Sequence, residues 1–304
     1  MSSITLKQLR YFDALARELH FGRAAEASSI SQPALSLQIK ELEALAGAPL
    51  VERTARKVQL THFGDAFLER TRKILVETDE LEELIRASTG PLAGRLRLGV
   101  IPTVAPYLLP GIMSALSDRL PALSVTVRES VTASLIEDLL AARLDLAIVA
   151  LPISEPALRE FALFQEEFVL VRPMEEADDP VPSPEILPTM RLMLLEEGHC
   201  FRDQALSFCK MTQAKPRNLM EGSSLSTLVQ MVSAGMGVTL IPDMALGLET
   251  RTADVAIARF SQERPSRTIG MVWRKTSPLS EQLMQIGAIV RQVGQAKGGG
   301  LTAS

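Results

Sequence analysis

The 304-residue chain has little cysteine: two residues, Cys200 and Cys209. So few thiols exclude a disulfide-stapled scaffold and point to a reducing cytoplasm, where a disulfide would be conditional. No run of 18 apolar residues occurs, so no membrane-spanning helix is expected. The opening Met-Ser-Ser-Ile-Thr-Leu-Lys-Gln-Leu-Arg lacks the apolar core of a secretion signal, and a cytoplasmic protein is expected. A large basic excess is missing too, the formal net charge being −4. What positive balance exists sits at the start. Residues 1–63 carry eight Lys or Arg against six Asp or Glu, residues 64–90 four against seven, and residues 91–304 twenty against twenty-three. A locally basic N-terminus suits a small DNA-reading module. With 46% hydrophobic residues the chain is long enough for two or three domains with their own cores.

Thr5-Leu6-Lys7-Gln8 fits a capping box, and Leu6, Leu9, Phe12 and Ala16 follow at helical spacing. Gly22 is expected to break the chain before a short Ala-rich helix from Arg23 to Ser28. Ser31 restarts it as N-cap, with Pro33 tolerated in the first turn. Leu35, Ile39, Leu42 and Leu45 mark the buried face of a third helix, and Gln32, Ser36 and Lys40 a polar stripe facing outward. Residues 49–53 and 57–61 read as short strands of a hairpin crowned by Arg53, Arg56 and Lys57. Three helices and a basic hairpin describe a winged helix-turn-helix. Ser31, Gln32, Pro33, Ser36 and Lys40 would then meet DNA from the third helix, and Arg53, Arg56 and Lys57 from the wing. A helical bundle with solvated charges is the plainer alternative.

Leu9-Arg10-Tyr11-Phe12, Phe21-Gly22-Arg23-Ala24-Ala25, Ser31-Gln32-Pro33-Ala34-Leu35-Ser36 and Leu60-Thr61-x-x-Gly64 resemble the DNA-binding domain of LysR-type transcriptional regulators. The motifs keep the family's order and spacing across residues 5–64, which implies double-stranded promoter DNA as a partner. One departure is Leu37, where many members carry an arginine; a packing role is expected for it.

Residues 64–88 lack proline, and Phe67, Ile74, Leu81 and Ile85 form an apolar seam along an otherwise charged stretch. A long helix is expected that pairs with a second copy, packing on its own domain being the alternative. Residues 89–94 read as a hinge. From Arg95 strands and helices alternate: strands at 96–101, 124–128 and 144–151, helices at 105–116 and 132–142, then a passage into a second lobe at 168–171. Strands at 191–195, 237–242 and 269–273 follow, with helices at 225–234 and 279–293, and residues 298–304 are expected to be disordered. Alternation implies a parallel sheet with helices on both faces.

Leu98-Gly99-Val100-Ile101-Pro102-Thr103 and the stretch from Ala234 to Pro242 resemble the two-lobed, periplasmic-binding-protein-like regulatory domain of the same family. The expected organisation is a winged helix-turn-helix at 1–63, a linker helix and hinge at 64–94 and an α/β regulatory domain at 95–304. Lobe I would take about 95–168 and 269–304, and lobe II about 169–268. Thr103, Thr132 and Cys200 each follow a strand, where ligands of such sheets bind; helix capping is the alternative role for either threonine.

Both cysteines lie in Gly198-His199-Cys200-Phe201-Arg202-Asp203-Gln204-Ala205-Leu206-Ser207-Phe208-Cys209. In a helix their backbones stand roughly 13 Å apart, whereas a disulfide tolerates Cα separations of about 4.4 to 6.8 Å. They can bond only if the segment unwinds. His199, Arg202 and a helix N-terminus would favour a thiolate at Cys200. An ordinary core helix built on Phe201, Leu206 and Phe208 is the bland alternative.

Gly-His-Cys-x-Arg-Asp-Gln-Ala with a second cysteine nine residues on resembles the peroxide-sensing LysR-type regulators. The resemblance implies that Cys200 reacts with hydrogen peroxide, that Cys209 resolves the product to a disulfide, and that Thr103, Thr132, His199, Cys200, Asp203 and Arg267 form the pocket. It implies Arg267 close enough to favour the thiolate, a homotetramer paired through the linker helix, RNA polymerase as partner and a thiol reductant such as a glutaredoxin to reset the switch. It calls for no cofactor, no metal, no membrane and no enzymatic turnover. The rival readings are a LysR-type regulator of a small organic effector, a thiol peroxidase with an appended DNA-binding domain, and a solute-binding protein.

Overall fold

The computed structural model describes residues 3–53, 57–88, 93–184, 186–209, 220–261 and 264–297. The chain divides into two compact units, Met1–Ile85 and Arg86–Ser304.

The first unit opens with α1 (Leu6–Glu18), held by the capping box between Thr5 and Gln8. Leu19, in the left-handed conformation at φ 48°, ends it, and His20 caps α2 (Phe21–Ala27) by accepting from the backbone N–H groups of Gly22 and Arg23 at 3.1 and 3.3 Å. The break therefore falls at Leu19–His20, and Gly22 lies inside α2. A Cβ on Gly22 would stand 3.0 Å from the His20 ring, so the glycine makes room for a cap of an unusual residue type.

Ser31 caps α3 (Gln32–Ala46) through the Ala34 N–H. Leu35, Ile39 and Leu42 are fully buried and Leu45 half-buried. Leu37 is 56% exposed and has no packing role. Two residues past Leu35, it points about 200° around the helix from the buried stripe. Strands β1 (Val51–Arg53) and β2 (Val58–Leu60) pair antiparallel, with Val51 opposite Leu60. Glu43 on α3 ties down the entry to β1, its Oε1 accepting from Leu50 N at 2.8 Å and Val51 N at 3.2 Å. The hairpin tip with Arg56, and the Arg53 side chain, lie outside the described residues.

Helix α4 (His62–Ser88) starts two residues before the expected Gly64. Its first turns pack on the unit's own core through Leu68, Thr71 and Leu75, and Phe67 meets Phe12 edge-on at 5.6 Å. Ion pairs Arg72–Asp13 at 3.0 Å and Arg10–Asp79 at 3.3 Å tie α4 to α1. On the same helix Ile74, Leu81, Leu84 and Ile85 are exposed. Of the expected seam, Phe67 thus packs on its own domain, whereas Ile74, Leu81 and Ile85 are exposed. The expected hinge, at residues 89–92, and the tail 298–304 lie outside the described residues.

The second unit runs β3 (Gly94–Val100), α5 (Ala105–Arg119), β4 (Leu123–Glu129), α6 (Thr132–Leu140), β5 (Leu146–Leu151), β6 (Leu158–Pro173), β7 (Leu192–Leu195), α7 (Cys200–Phe208), β8 (Met220–Gly222), α8 (Leu225–Ser233), β9 (Val238–Pro242), α9 (Leu246–Glu249), β10 (Val255–Ala258), β11 (Ser266–Arg274) and α10 (Ser280–Lys297). Its sheet has the order β4-β3-β5-β11-β6-β9-β7-β8, with β10 also on β6. β3 lies parallel to β4 and β5, and β7 parallel to β8 and β9, but β6 and β11 run antiparallel to their neighbours. The sheet is therefore mixed rather than parallel throughout. The reason is β6, 16 residues long: its first part pairs with β11 and its last with β9 and β10, so one strand serves both lobes. One core gathers under β3, β5 and β11 with Trp273, and the other under β7, β9 and the end of β6. Among the described residues no helix is long and apolar enough to cross a membrane.

Replacing Glu43 with alanine leaves two backbone N–H groups at the entry to β1, those of Leu50 and Val51, without their charged acceptor. It should destabilise the protein by about 1.5–3 kcal/mol, read as a lower urea midpoint of the first unit's transition.

Candidate functional site

After β7 the chain turns through residues 196–199 into α7. Gly198 makes the turn at φ +98°, a conformation open to glycine and rare for other residues. His199 has an extended backbone and is the N-cap, with no side-chain capping bond. Cys200 is thus the first helical residue, beside the free N–H groups and the positive end of the helix dipole.

The two thiols are free and sit at opposite ends of α7 in different surroundings. Cys200 is half-buried and packs against the first-lobe core. Cys209 is 2% exposed and belongs to the second-lobe core. Burial pushes the Cys209 thiol up to about 11, so at neutral pH it stays protonated and unreactive. Phe201, Ala205 and Cys209, one per turn, fasten the helix to that core. Phe201 meets the Phe168 ring at 4.8 Å and Phe208 the Phe260 ring at 5.1 Å, both edge-on.

Cys200 opens into a cleft of about 920 Å³. Thr132 from α6 and Asp203 and Gln204 from α7 line it together with Cys200. Among the described residues, Thr132 Oγ1 and Gln204 Oε1 are buried and have no hydrogen-bond partner. A thiol and two orphaned polar atoms around one cleft are groups that a small polar ligand would satisfy. Gln204 stands in the cysteine motif but carried no role on sequence grounds; its signal was the spacing of four from Cys200, which places both on one helix face.

Neither threonine caps a helix: Val131 is the N-cap of α6 and Val104 that of α5. Thr103 and Arg267 lie in a buried cluster, outside the residues that line the cleft. Arg267 donates to Thr103 Oγ1 at 2.8 Å, to the Thr103 carbonyl at 3.0 Å and to Glu166 Oε2 at 2.8 Å, and stands over the Phe201 ring at 5.4 Å. Glu166 faces it across the β6–β11 pair. Burial pushes the Glu166 carboxyl up while Arg267 pulls it back. The cation expected to serve the thiolate is thus matched by a buried carboxylate. Arg202 is committed as well, to the Leu195 carbonyl at 2.8 Å and to Glu221 at 2.9 Å. His199 is half-buried and not among the lining residues.

On the first unit Ser31, Gln32, Pro33 and Lys40 are exposed at α3 and Ser36 is half-buried. Lys57 is exposed ahead of β2.

A model of bacterial regulatory helix-turn-helix proteins of the lysR family matches residues 6–65, and one of the LysR substrate binding domain matches residues 89–295. The chain belongs to the LysR family. It is 42% identical over 293 residues to a probable hydrogen peroxide-inducible genes activator of Streptomyces viridosporus, covering 95% of this chain and 94% of the relative. It is 36% identical over 291 residues to the HTH-type transcriptional regulator EstR of Acinetobacter baylyi, covering 95% and 97%. Among solved structures, full-length OxyR of Pseudomonas aeruginosa, a cysteine-to-aspartate variant, matches with a TM-score of 0.73 and 34% identity over 96% of each chain. A cysteine-to-serine variant of Corynebacterium glutamicum OxyR with hydrogen peroxide bound matches with a TM-score of 0.66 and 33% identity, covering 98% of this chain and 94% of that one. In this LysR-family chain the cysteine helix and the cleft both fall inside the second matched domain.

Folded Cys209 holds its proton more tightly than an unfolded thiol at about 8.5. Its contribution to stability is complete below that pH and is lost as pH rises toward about 11. Between pH 8 and 10.5 the urea midpoint of the reduced protein should therefore fall more steeply than that of Cys209→Ser.

Proposed function

We propose that this LysR-family protein is a transcription regulator switched by hydrogen peroxide through Cys200 and Cys209. The observation that carries the reading is an accessible thiol beside two orphaned polar groups, with a second, protonated thiol at the far end of the same short helix. The relatives named as hydrogen peroxide-inducible genes activators support it.

The Cys200 thiolate attacks one peroxide oxygen: an S–O bond forms, the O–O bond breaks, and the departing hydroxide takes up the proton that the thiol gave up and leaves as water. Thr132 and Gln204 hold the peroxide, and Asp203 stands at the mouth of the same cleft. Cys200 opens α7 next to His199, and Thr103 and Arg267 fix the position of Phe201 behind it. The sulfenic acid then condenses with Cys209, releasing a second water. A straight α7 keeps the two Cα atoms roughly 13 Å apart, so it must unwind and draw Phe201, Phe208 and Cys209 from their places. Each phenylalanine withdrawn costs about 1.5–3 kcal/mol.

In this reading residues 1–63 bind promoter DNA, through Ser31, Gln32, Pro33, Ser36 and Lys40 of α3 and Arg53, Arg56 and Lys57 of the wing. The exposed Ile74, Leu81, Leu84 and Ile85 of α4 pair with a second copy, two such pairs make a tetramer, and remodelling of the 95–304 domain changes how the complex engages RNA polymerase. A glutaredoxin-type reductant returns the disulfide to thiols. Each event needs one oxidation per subunit and no turnover.

Mass spectrometry of the reduced protein before and after about one equivalent of hydrogen peroxide should show both thiols converted to a Cys200–Cys209 disulfide within minutes. Cys209→Ser should stop at a dimedone-reactive sulfenic acid, and Cys200→Ser should abolish the reaction. If both thiols survive excess peroxide, the redox reading falls, and the signal becomes a small organic molecule bound in the cleft.

A further inference from the structure

The cleft is far larger than its proposed ligand. A water-sized molecule occupies about 30 Å³ of liquid, whereas the space beside Cys200 is about 920 Å³, within the roughly 300–1,000 Å³ of pockets that hold drug-sized molecules. Much of its wall is apolar, from Ile136, Leu151, Ile153, Phe168 and Phe208. Among the described residues that line it, the charged ones are Asp203 and Glu155, with neither lysine nor arginine. Among these residues an anionic ligand would meet two carboxylates, while an uncharged apolar group would meet side chains of its own kind.

We propose that the cleft admits uncharged alkyl or aryl hydroperoxides, so that Cys200 senses organic hydroperoxides as well as hydrogen peroxide. The inference rests on the peroxide reading above and extends its substrate class. The hydroperoxide's organic group lies along the apolar wall and its O–O group reaches Cys200. Gln204 Oε1 accepts the O–H hydrogen, and the Thr132 hydroxyl donates to the oxygen bearing the organic group. The sulfur attacks the terminal oxygen: the S–O bond forms, the O–O bond breaks, and the organic fragment leaves as an alcohol carrying the former thiol proton. Sulfur is oxidised by two electrons and the hydroperoxide reduced by two. Condensation with the Cys209 thiol then gives the disulfide and one water.

Cumene hydroperoxide is the probe, with reduced full-length protein and thiol loss followed by quenched-flow mass spectrometry. Its rate with the folded protein should lie within about tenfold of that of hydrogen peroxide and at least 100-fold above its rate with the urea-unfolded chain. Ala133→Trp, which narrows the apolar part of the cleft from α6, should slow cumene hydroperoxide at least tenfold and hydrogen peroxide less than twofold. A cumene hydroperoxide bearing a ring carboxylate should react at least tenfold more slowly than the parent, a comparison that needs no variant. Folded and unfolded chains reacting alike with cumene hydroperoxide, a variant that spares it or slows both oxidants equally, or a carboxylate without effect would each overturn the proposal. Should hydrogen peroxide itself leave Cys200 unoxidised, the underlying reading falls; should it react where cumene hydroperoxide does not, the extension alone falls.

Discussion

The buried ion pair between Arg267 and Glu166 holds the second unit together where its two lobes meet. It spans the facing strands β6 and β11 where β6 passes from one core to the other. Arg267 reaches the hydroxyl and carbonyl of Thr103, beyond the end of β3, and Glu166 accepts from the Met244 backbone, beyond the end of β9. Charges taken out of water are tolerated only when paired and hydrogen-bonded on every side. These four anchor points therefore lock one another. Because the Phe201 ring lies under the guanidinium, the position of α7, and so of Cys200, is fixed by the same cluster.

Against that fixed frame, α7 answers to two masters. Its first residue touches the first-lobe core and its C-cap is swallowed by the second. Nothing covalent holds the helix; its burial in the second core rests on Phe201, Ala205 and Cys209, with Leu206 and Phe208 packed at the edge. A nine-residue helix has little stability of its own, so its shape is a consequence of packing. A new S–S bond can therefore override it, which a long self-supporting helix would resist.

Much of this was legible in residue order. Capping pairs such as Thr5–Gln8 and the Ser31 cap are local signals, read correctly because the responsible atoms are three residues apart. The cysteine motif likewise read as a helix from Cys200, as α7 is. What was not legible involved either unusual chemistry or distant partners. A histidine cap at His20 has no propensity signal, so the break was assigned to Gly22. The first part of β6 hides in Leu158–Glu167, where charged and apolar residues mix without clean alternation. Arg202 and Arg267 lie close to Cys200 in the chain or in space, yet their charges are claimed by Glu221 and Glu166. The sequence lists charges but not which of them are already neutralised. Leu37 was misread because a lone leucine on a helix says nothing of which way it faces until the phase is counted from Leu35 and Ile39.

The deep seat of Cys209 has a bearing on time. With burial holding its proton up to about pH 11, the Cys209 thiol stays protonated at neutral pH, and the intact helix keeps it at the far end from Cys200. On the proposed mechanism, oxidation of Cys200 and closure of the disulfide are thus separate events with a waiting period between them, set by how often α7 opens. Reductant that arrives in that interval erases the first event before the second commits it. On that mechanism the helix is a delay element: brief exposures leave no record, and sustained ones are written into the fold.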